Sequence, residues 1–447
     1  MALSGIQIYK MLPQTNCKEC GFPTCLAFSM KLAAKQVELD DCPYVTEESK
    51  QKLAQSAAPP IRLVTLKAKD HEVAVGNEVV LFRHEKKFFN RPGVLIRVLD
   101  TDEHEAITKK VEAANAYSVD YVGLELKLDG FAVQASSGDA TTFAAAIETV
   151  RKASGLPLIL VSDDPALIEA GLRALDGEKP LILGANAANW EAMAALAKRA
   201  ETALGVAAGS LEALAELTQK IQGEGVEDLV LHPTARAMGT SLALQTQIRR
   251  LALKNFRPLG YPTIAFAGDG GNPAKEAVLA AHAVCKYAGL VVLDTFSPEL
   301  VYPILVLREN IFTDPQKPIQ VLPAVYEINN PKPSDPVLVT TNFSITYFSV
   351  ANEVEGSGLP AWLVVADAEG MSVLTAWAAG KFDAERIAKA VKQFGVDAKV
   401  DKKVIVLPGH VAVLSGELEE ELPGWQIMVG PREAVDIGAY LKAMWQN

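Results

Sequence analysis

Short runs of Val, Leu and Ile recur through the middle of the chain. Each is followed by a longer stretch in which apolar residues return every three to four positions. The runs are GVLIRV (93–98), YVGLEL (121–126), PLILVS (157–162), PLILGA (180–185), ALGVAA (203–208), EDLVLH (227–232), PTIAFA (262–267) and GLVVLD (289–294). Near-continuous apolar runs suit parallel strands buried on both faces. Stretches such as PALIEAGLRAL and NWEAMAALAKRA read as amphipathic helices between them. Eight strand–helix repeats over roughly 260 residues match a (β/α)8 barrel in number and length. A doubly wound sheet is the alternative.

Six prolines (Pro315, Pro318, Pro323, Pro331, Pro333 and Pro336) mark a semi-rigid connector after the barrel. Alternation then resumes with strands PVLVTT (336–341), AWLVVADA (361–368), KVIVLP (403–408) and WQIMVG (425–430), a charged helix at 383–394 and a last helix REAVDIGAYLKAMW. This predicts a compact open α/β sheet of about 110 residues. At the other end, residues 1–57 form a short head that closes on a helix-like TEESKQKLAQSA, with Thr46 as N-cap, before a linker AAPP at 57–60. The expected organisation is therefore a head (1–57), a TIM barrel (58–320) and a C-terminal Rossmann-like α/β domain (321–447).

Composition narrows the function. The chain has 447 residues, 49% hydrophobic and 22% charged, an ordinary globular balance that excludes wholesale disorder. Its net charge of −11 leaves no basic surplus for phosphates, so a nucleic-acid partner is not expected. No apolar stretch of about 18 residues occurs, and the N-terminus lacks the apolar core of a signal peptide. A cytoplasmic protein with reduced thiols and no membrane attachment is expected.

Four of the five cysteines fall in the head, as Cys17-x2-Cys20-x4-Cys25-x16-Cys42, with Pro43 after the last. The fifth, Cys285, lies alone in an apolar helical stretch and reads as a small buried hydrophobe. A head this small has too little core to be stable easily by itself, and a bound metal centre would supply the missing constraint. Four thiolates can hold a tetrahedral zinc or an iron–sulfur cluster. Structural zinc sites tend to pair two Cys knuckles across a longer loop. Three crowded cysteines and a distant fourth followed by proline lie closer to iron–sulfur ligation, and a 4Fe–4S cluster, zinc and unliganded thiols all stay open on spacing alone.

NCKECGFPTCLAFS, then DDCPY, then a barrel and a tail carrying VVADAEGMSVLTAWAAGKF, resembles the large (gamma) subunit family of corrinoid iron–sulfur proteins. That family belongs to the anaerobic acetyl-CoA (Wood–Ljungdahl) pathway of carbon fixation, and the archaeal acetyl-CoA decarbonylase/synthase gamma subunits are its relatives. The resemblance runs the length of the chain. It implies one 4Fe–4S cluster on Cys17, Cys20, Cys25 and Cys42, and a corrinoid (cobalamin type) on the tail. It also implies a smaller barrel subunit as heterodimer partner, a methyltetrahydrofolate:corrinoid methyltransferase as methyl donor and acetyl-CoA synthase as acceptor. The chain would then be a methyl carrier with little turnover alone, its cluster reducing Co(II) to Co(I). The competing reading is a barrel enzyme with a structural zinc or ferredoxin-like head.

In open α/β sheets, ligands bind beyond the carboxyl ends of the strands. That selects the loops 340–346, 368–375, 408–413 and 430–433. The corrinoid-contact candidates are Thr340, Thr346, Gly370, Met371, Ser372, Val373, Thr375, Gly409, Gly430, Pro431 and Arg432. The glycines are expected to let backbone approach a planar ring, and the hydroxyls to meet its amides or the face over cobalt. Thr375 is expected on the lower face, where a histidine would otherwise coordinate. His410 lacks the Asp-x-His-x-x-Gly setting of a lower-ligand histidine, so no strong protein axial ligand is expected. At the barrel strand ends stand Asp163, Asp164, Asn186, His232, the loop 267–273 and Asp294, without a paired acid–base set. No catalytic residue is assigned, and the barrel reads as a scaffold. His71, His84, His104 and His282 read as structural or surface residues.

Overall fold

The computed structural model describes every residue except 1–4, 34–35, 38, 47–48, 50–52, 54–58, 70, 122–123, 176, 236, 269–270, 315–318 and 446–447, together with the side chain of residue 40. Most of the helix expected at 46–57 lies outside the described residues, as do half of the AAPP linker and two residues of the loop 267–273. The chain divides into two compact units. One comprises Met1–Leu81, Phe89–Asn115 and Asp129–Phe296, the other Phe82–Phe88, Ala116–Leu128 and Ser297–Asn447.

The first unit contains a closed barrel of eight parallel strands. Ahead of it run two short strands, β1 (Val64–Lys67) and β2 (Glu72–Val75), paired antiparallel. The barrel strands are β3 (Gly93–Leu99), β6 (Gly130–Gln134), β7 (Leu158–Val161), β8 (Leu181–Ala185), β9 (Leu204–Ala208), β10 (Leu229–Pro233), β11 (Thr263–Phe266) and β12 (Ala288–Leu293). Closure comes from β12 pairing with β3, Leu290 opposite Gly93. Val64, Leu66 and Val75 pack with Leu95, Ile159, Leu181 and Val230 of the barrel interior. A Cβ on Gly93, the first residue of β3, would lie 2.9 Å from Val73 Cγ1. The β1–β2 hairpin thus plugs the amino-terminal end of the barrel.

One expected barrel strand is corrected. The region of YVGLEL, of which 122–123 are not described, forms an antiparallel hairpin of β4 (Ser118–Tyr121) and β5 (Leu124–Lys127) in the second unit. In β5 only Leu126 is buried, while Glu125 and Lys127 face water. That period-two alternation marks a strand with one wet face. The true second barrel strand, GFAVQ, buries its first four residues but is short and begins on glycine. The other expected barrel strands are in place, which settles the choice between a barrel and a doubly wound sheet.

The second unit is built on a five-stranded sheet of order β13–β15–β14–β16–β17, where β13 is Ala324–Ile328, β14 Val337–Thr341, β15 Ala361–Ala366, β16 Val404–Leu407 and β17 Gln426–Val429. β14 to β17 are parallel, and β13 is an antiparallel edge strand on β15. β13 corrects the reading of 315–336 as connector alone. Pro323 and Pro331 flank the strand without entering it, and an edge place tolerates such neighbours. β14 and β15 are buried throughout, with helices such as Ser344–Ser357 and Ala384–Gln393 covering the faces. The last helix is shorter than expected, Ile437–Trp445 after a 3-10 turn. Among the described residues no helix is long and apolar enough to cross a membrane.

Candidate functional site

From β14 the chain moves to one side to form β15, then crosses to the other side for β16 and β17. The carboxyl ends of β14 and β16 therefore bound a topological switch point, where open sheets leave a crevice. A cavity of about 280 Å³ lies there. Its lining includes seven of the residues singled out above: Thr340, Thr346, Ser372, Val373, Gly430, Pro431 and Arg432. Gly370, Met371, Thr375 and Gly409 are not part of it. Thr340 is fully buried, yet its hydroxyl has no partner. His410 also lines the cavity, its Nε2 3.7 Å from Glu433 Oε1.

Each of the four parallel strands exits into a loop or helix start that leaves a large apolar side chain in water. These are Ile345 after β14 (68% exposed), Leu374 after β15 (46%), Val413 after β16 (68%) and Val435 after β17 (68%). Because the strands are parallel, all four stand on one edge of the sheet. Exposed apolar side chains gathered on one edge make it a candidate ligand or partner surface. Attention to hydroxyls and glycines in the sequence passed over it. The usable signal was an apolar residue in each carboxyl-end segment, where polar turn residues are the norm.

The glycines of these loops meet protein. A Cβ on Gly409 would fall 2.6 Å from Gly430 O and 2.8 Å from Pro431 C. Gly409 N–H donates to Pro431 O at 2.9 Å, and Gly430 N–H to Leu407 O at 2.8 Å. The loops after β16 and β17 thus cross backbone to backbone. Gly370 has φ +73°, and its missing Cβ leaves room for Gln320 Cγ at 2.7 Å. Ser372 and Thr375 share a hydroxyl–hydroxyl hydrogen bond of 3.0 Å at the start of helix Val373–Ala378, with Thr375 exposed.

In the head, Ile8, Leu12, Cys25, Phe28, Cys42 and Val45 form a small core, with Cys20 and Phe22 packed on it. The chain before helix Cys25–Ala33 winds through positive φ at Gln14, Asn16, Lys18 and Gly21. Asn16 Oδ1 accepts Cys25 N–H at 2.8 Å, and Asn16 N–H donates to Cys25 Sγ at 3.4 Å. The Cys42 thiol is pushed up, first by burial and then by the nearby charges of Cys20, Cys25 and Cys17. Those four sulfurs therefore share one neighbourhood. Among the described residues no three metal-binding side chains gather as closely as the ligands of a single ion. Cys285 is half-buried, and burial raises its thiol.

At the barrel's carboxyl end the expected polar residues have local duties. Asp164 caps helix Pro165–Ala174 through Ala166 N–H, Asn186 accepts Ala188 N–H, and Asp294 pairs with Arg97 at 2.5 Å. The His232 ring packs on Phe266, centroids 5.1 Å apart. Of the remaining histidines, His104 Nδ1 bonds Thr149 Oγ1 at 2.9 Å and His84 stacks on Phe82.

These features define a multidomain α/β protein with a thiol-lined head, a closed barrel and an open apolar rim on a second sheet. The model of the CO dehydrogenase/acetyl-CoA synthase delta subunit family matches residues 63–441, and an Fe-S cluster model matches residues 12–44. The chain is 46% identical to the corrinoid/iron-sulfur protein large subunit of Moorella thermoacetica, over 99% of each. It is 36% identical to the acetyl-CoA decarbonylase/synthase complex subunit gamma of Methanopyrus kandleri, over 98% of this chain and 97% of that one. It therefore belongs to the family of corrinoid/iron-sulfur protein large subunits and acetyl-CoA decarbonylase/synthase gamma subunits. Among solved structures, dihydropteroate synthase from Thermus thermophilus matches with a TM-score of 0.40 and 17% identity, covering 56% of this chain and 99% of that one.

Proposed function

We propose that this chain is a methyl carrier that holds a corrinoid on the carboxyl edge of its five-stranded sheet and a 4Fe–4S cluster in its head. The observation that carries the reading is the rim of Ile345, Leu374, Val413 and Val435, one from each parallel strand's exit. A large planar ring with an apolar periphery is the ligand class that such a rim fits. The unpartnered Thr340 hydroxyl beneath it supplies a donor for a peripheral amide. In the Rossmann-like sheet, Asn342 fixes the loop that bears Ser372 and Thr375 through hydrogen bonds to Ala368 and Gly370. Thr375, next to the cavity-lining Leu374, would offer a bound ring a neutral hydroxyl rather than a strong ligand, and His410 Nε2 lies 3.7 Å from Glu433 Oε1.

Cys17, Cys20, Cys25 and Cys42 are a four-thiolate donor set suited to a cluster. The Asn16 N–H aimed at Cys25 Sγ is a hydrogen bond of the kind that tunes a cluster's potential. When bound, the corrinoid supplies a methyl-accepting cobalt, and the cluster supplies low-potential electrons for its reactivation. The methyl group comes from methyltetrahydrofolate through a separate methyltransferase and passes to acetyl-CoA synthase. A small barrel subunit covers the exposed rim in the working heterodimer. An anaerobic preparation of the chain with its small subunit tests the reading. Iron and corrinoid bands in fixed proportion, with methyl transfer only when both partner enzymes are added, are expected. Zinc in the head, no corrinoid and turnover of a substrate by the chain alone would instead establish the barrel-enzyme reading. In Cys20→Ala, electron delivery to Co(II) should vanish while methyl transfer from pre-reduced protein persists.

A further inference from the structure

With its amino-terminal end plugged, the barrel keeps a cavity of about 870 Å³ at the carboxyl end of its strands, within the range of small-molecule sites. The floor is aromatic, with Phe266 in contact with the His232 ring and Arg97 Cζ 5.8 Å from the Phe266 centroid. Arg97 is held by Gln134 Oε1 at 2.9 Å and Asp294 Oδ2 at 2.5 Å. Asp294 is itself fixed. Its backbone N–H donates to buried Glu276, its carbonyl accepts from Lys110 Nζ at 2.7 Å, and a Cβ on Gly268 would strike its carboxylate. The wall is therefore built in advance of any ligand.

The hydrogen-bonding capacity left over is specific. Gln245 is 2% exposed, and its Oε1 accepts the Thr263 hydroxyl at 2.8 Å. Its amide NH2 has no partner among the described residues, and neither has that of Gln134. His282 Nε2 is buried without a partner. Burial pushes His232 down to about 4, and burial together with Lys286 lowers His282, so both imidazoles are neutral near pH 7. The charge of Arg97 is offset by Asp294, and Asp163 adds a carboxylate at the rim. A phosphate would meet no uncompensated cation among the described lining residues. A neutral ring with carbonyl and ring-nitrogen acceptors matches the donors that this lining leaves over, and Phe266 offers it an aromatic face.

We propose that the barrel cavity is a binding site for a planar, uncharged nitrogen heterocycle bearing carbonyl acceptors, of the pterin or purine class. The proposal rests on the barrel alone and stands apart from the carrier reading.

Isothermal titration of the full chain, purified anaerobically with its small subunit, tests it. The probes are 6-hydroxymethylpterin, guanosine and inorganic phosphate. One heterocycle should bind at one per chain, with phosphate inert. Binding of the pterin alone assigns the natural ligand to that source, and binding of guanosine alone to the other. Gln245→Glu, which keeps the acceptor to Thr263 and removes the donor, should weaken binding tenfold or more. His232→Phe keeps the ring packing and removes the ring nitrogens, and should do the same with unchanged corrinoid content. Phosphate binding without heterocycle binding, no binding of any probe, or heterocycle binding indifferent to both variants would overturn the proposal.

Discussion

Gly370 donates its backbone N–H to the side-chain oxygen of Asn342 at 3.0 Å, and the same oxygen takes the N–H of Ala368 at 2.9 Å. Asn342 is 1% exposed, and its amide donates in turn to Gln320 and Asp367. One buried side chain thus holds the turn in which Glu369 and Gly370 have φ of 54° and 73°. Asn342→Ala would leave two buried donors unpaired, at about 1–3 kcal/mol each. A lower melting temperature and reduced corrinoid retention, with head iron unchanged, are expected from scanning calorimetry and cofactor assay.

Two glycines close together in sequence should respond in opposite directions. Gly409→Ala places a methyl against Gly430 O and Pro431 C, backbone atoms that cannot swing aside, whereas nothing lies within 4 Å of a Cβ on Gly416. Gly416 sits in helix Ser415–Glu421. Alanine there should stabilise by up to about 1 kcal/mol, and alanine at 409 should destabilise and loosen both loops. Denaturant midpoints of the two variants check the pair.

Thr375 is exposed, and its hydroxyl shares a hydrogen bond with that of Ser372. Thr375→Ala should therefore change corrinoid binding by no more than the roughly 1 kcal/mol of a neutral hydrogen bond. Thr375→His should add nitrogen superhyperfine splitting to the Co(II) electron paramagnetic resonance spectrum. The unmodified protein should have none. Splitting there would place a nitrogen on the metal already.

His232 links stability to pH. Folded, it is pushed down from 6.5 to about 4 by burial, so below 6.5 the unfolded chain binds a proton that the native chain refuses. Its neutral burial is fully compatible with folding above pH 6.5. The penalty grows as pH falls and is complete near pH 4, at up to about 3 kcal/mol. Unfolding midpoints at pH 7 and pH 5 should differ less in His232→Phe than in the unmodified chain.

The barrel was legible because continuous runs such as PLILVS and PLILGA leave few alternatives to a strand buried on both faces. It was misread at one strand. Leu124 and Leu126 look as apolar as a barrel strand until Glu125 and Lys127 are weighed, and Gly130-Phe131-Ala132-Val133 looks too slight to replace them. Strand β13 was hidden by prolines that bound it. At the sheet edge, topology pointed to the four loops that line the cavity at the switch point, because the carboxyl ends of parallel strands are readable from strand order. Their individual roles were not. Gly409 makes room for the backbone of Gly430 and Pro431, and Gly430 for Val406 and Leu407, contacts between segments some 20 residues apart in sequence. Asn342 acts through partners at 320 and 367–370 that no local motif announces.

Hydrogen exchange of the full chain with its small subunit, with and without corrinoid, tests the central claim most directly. If the corrinoid lies on the sheet edge, amides of 340–346, 368–375, 408–413 and 430–435 become protected on binding while the barrel-mouth segments at 184–189 and 232–235 stay as they were. Protection confined to the barrel mouth, or none in the four strand exits, would contradict the account.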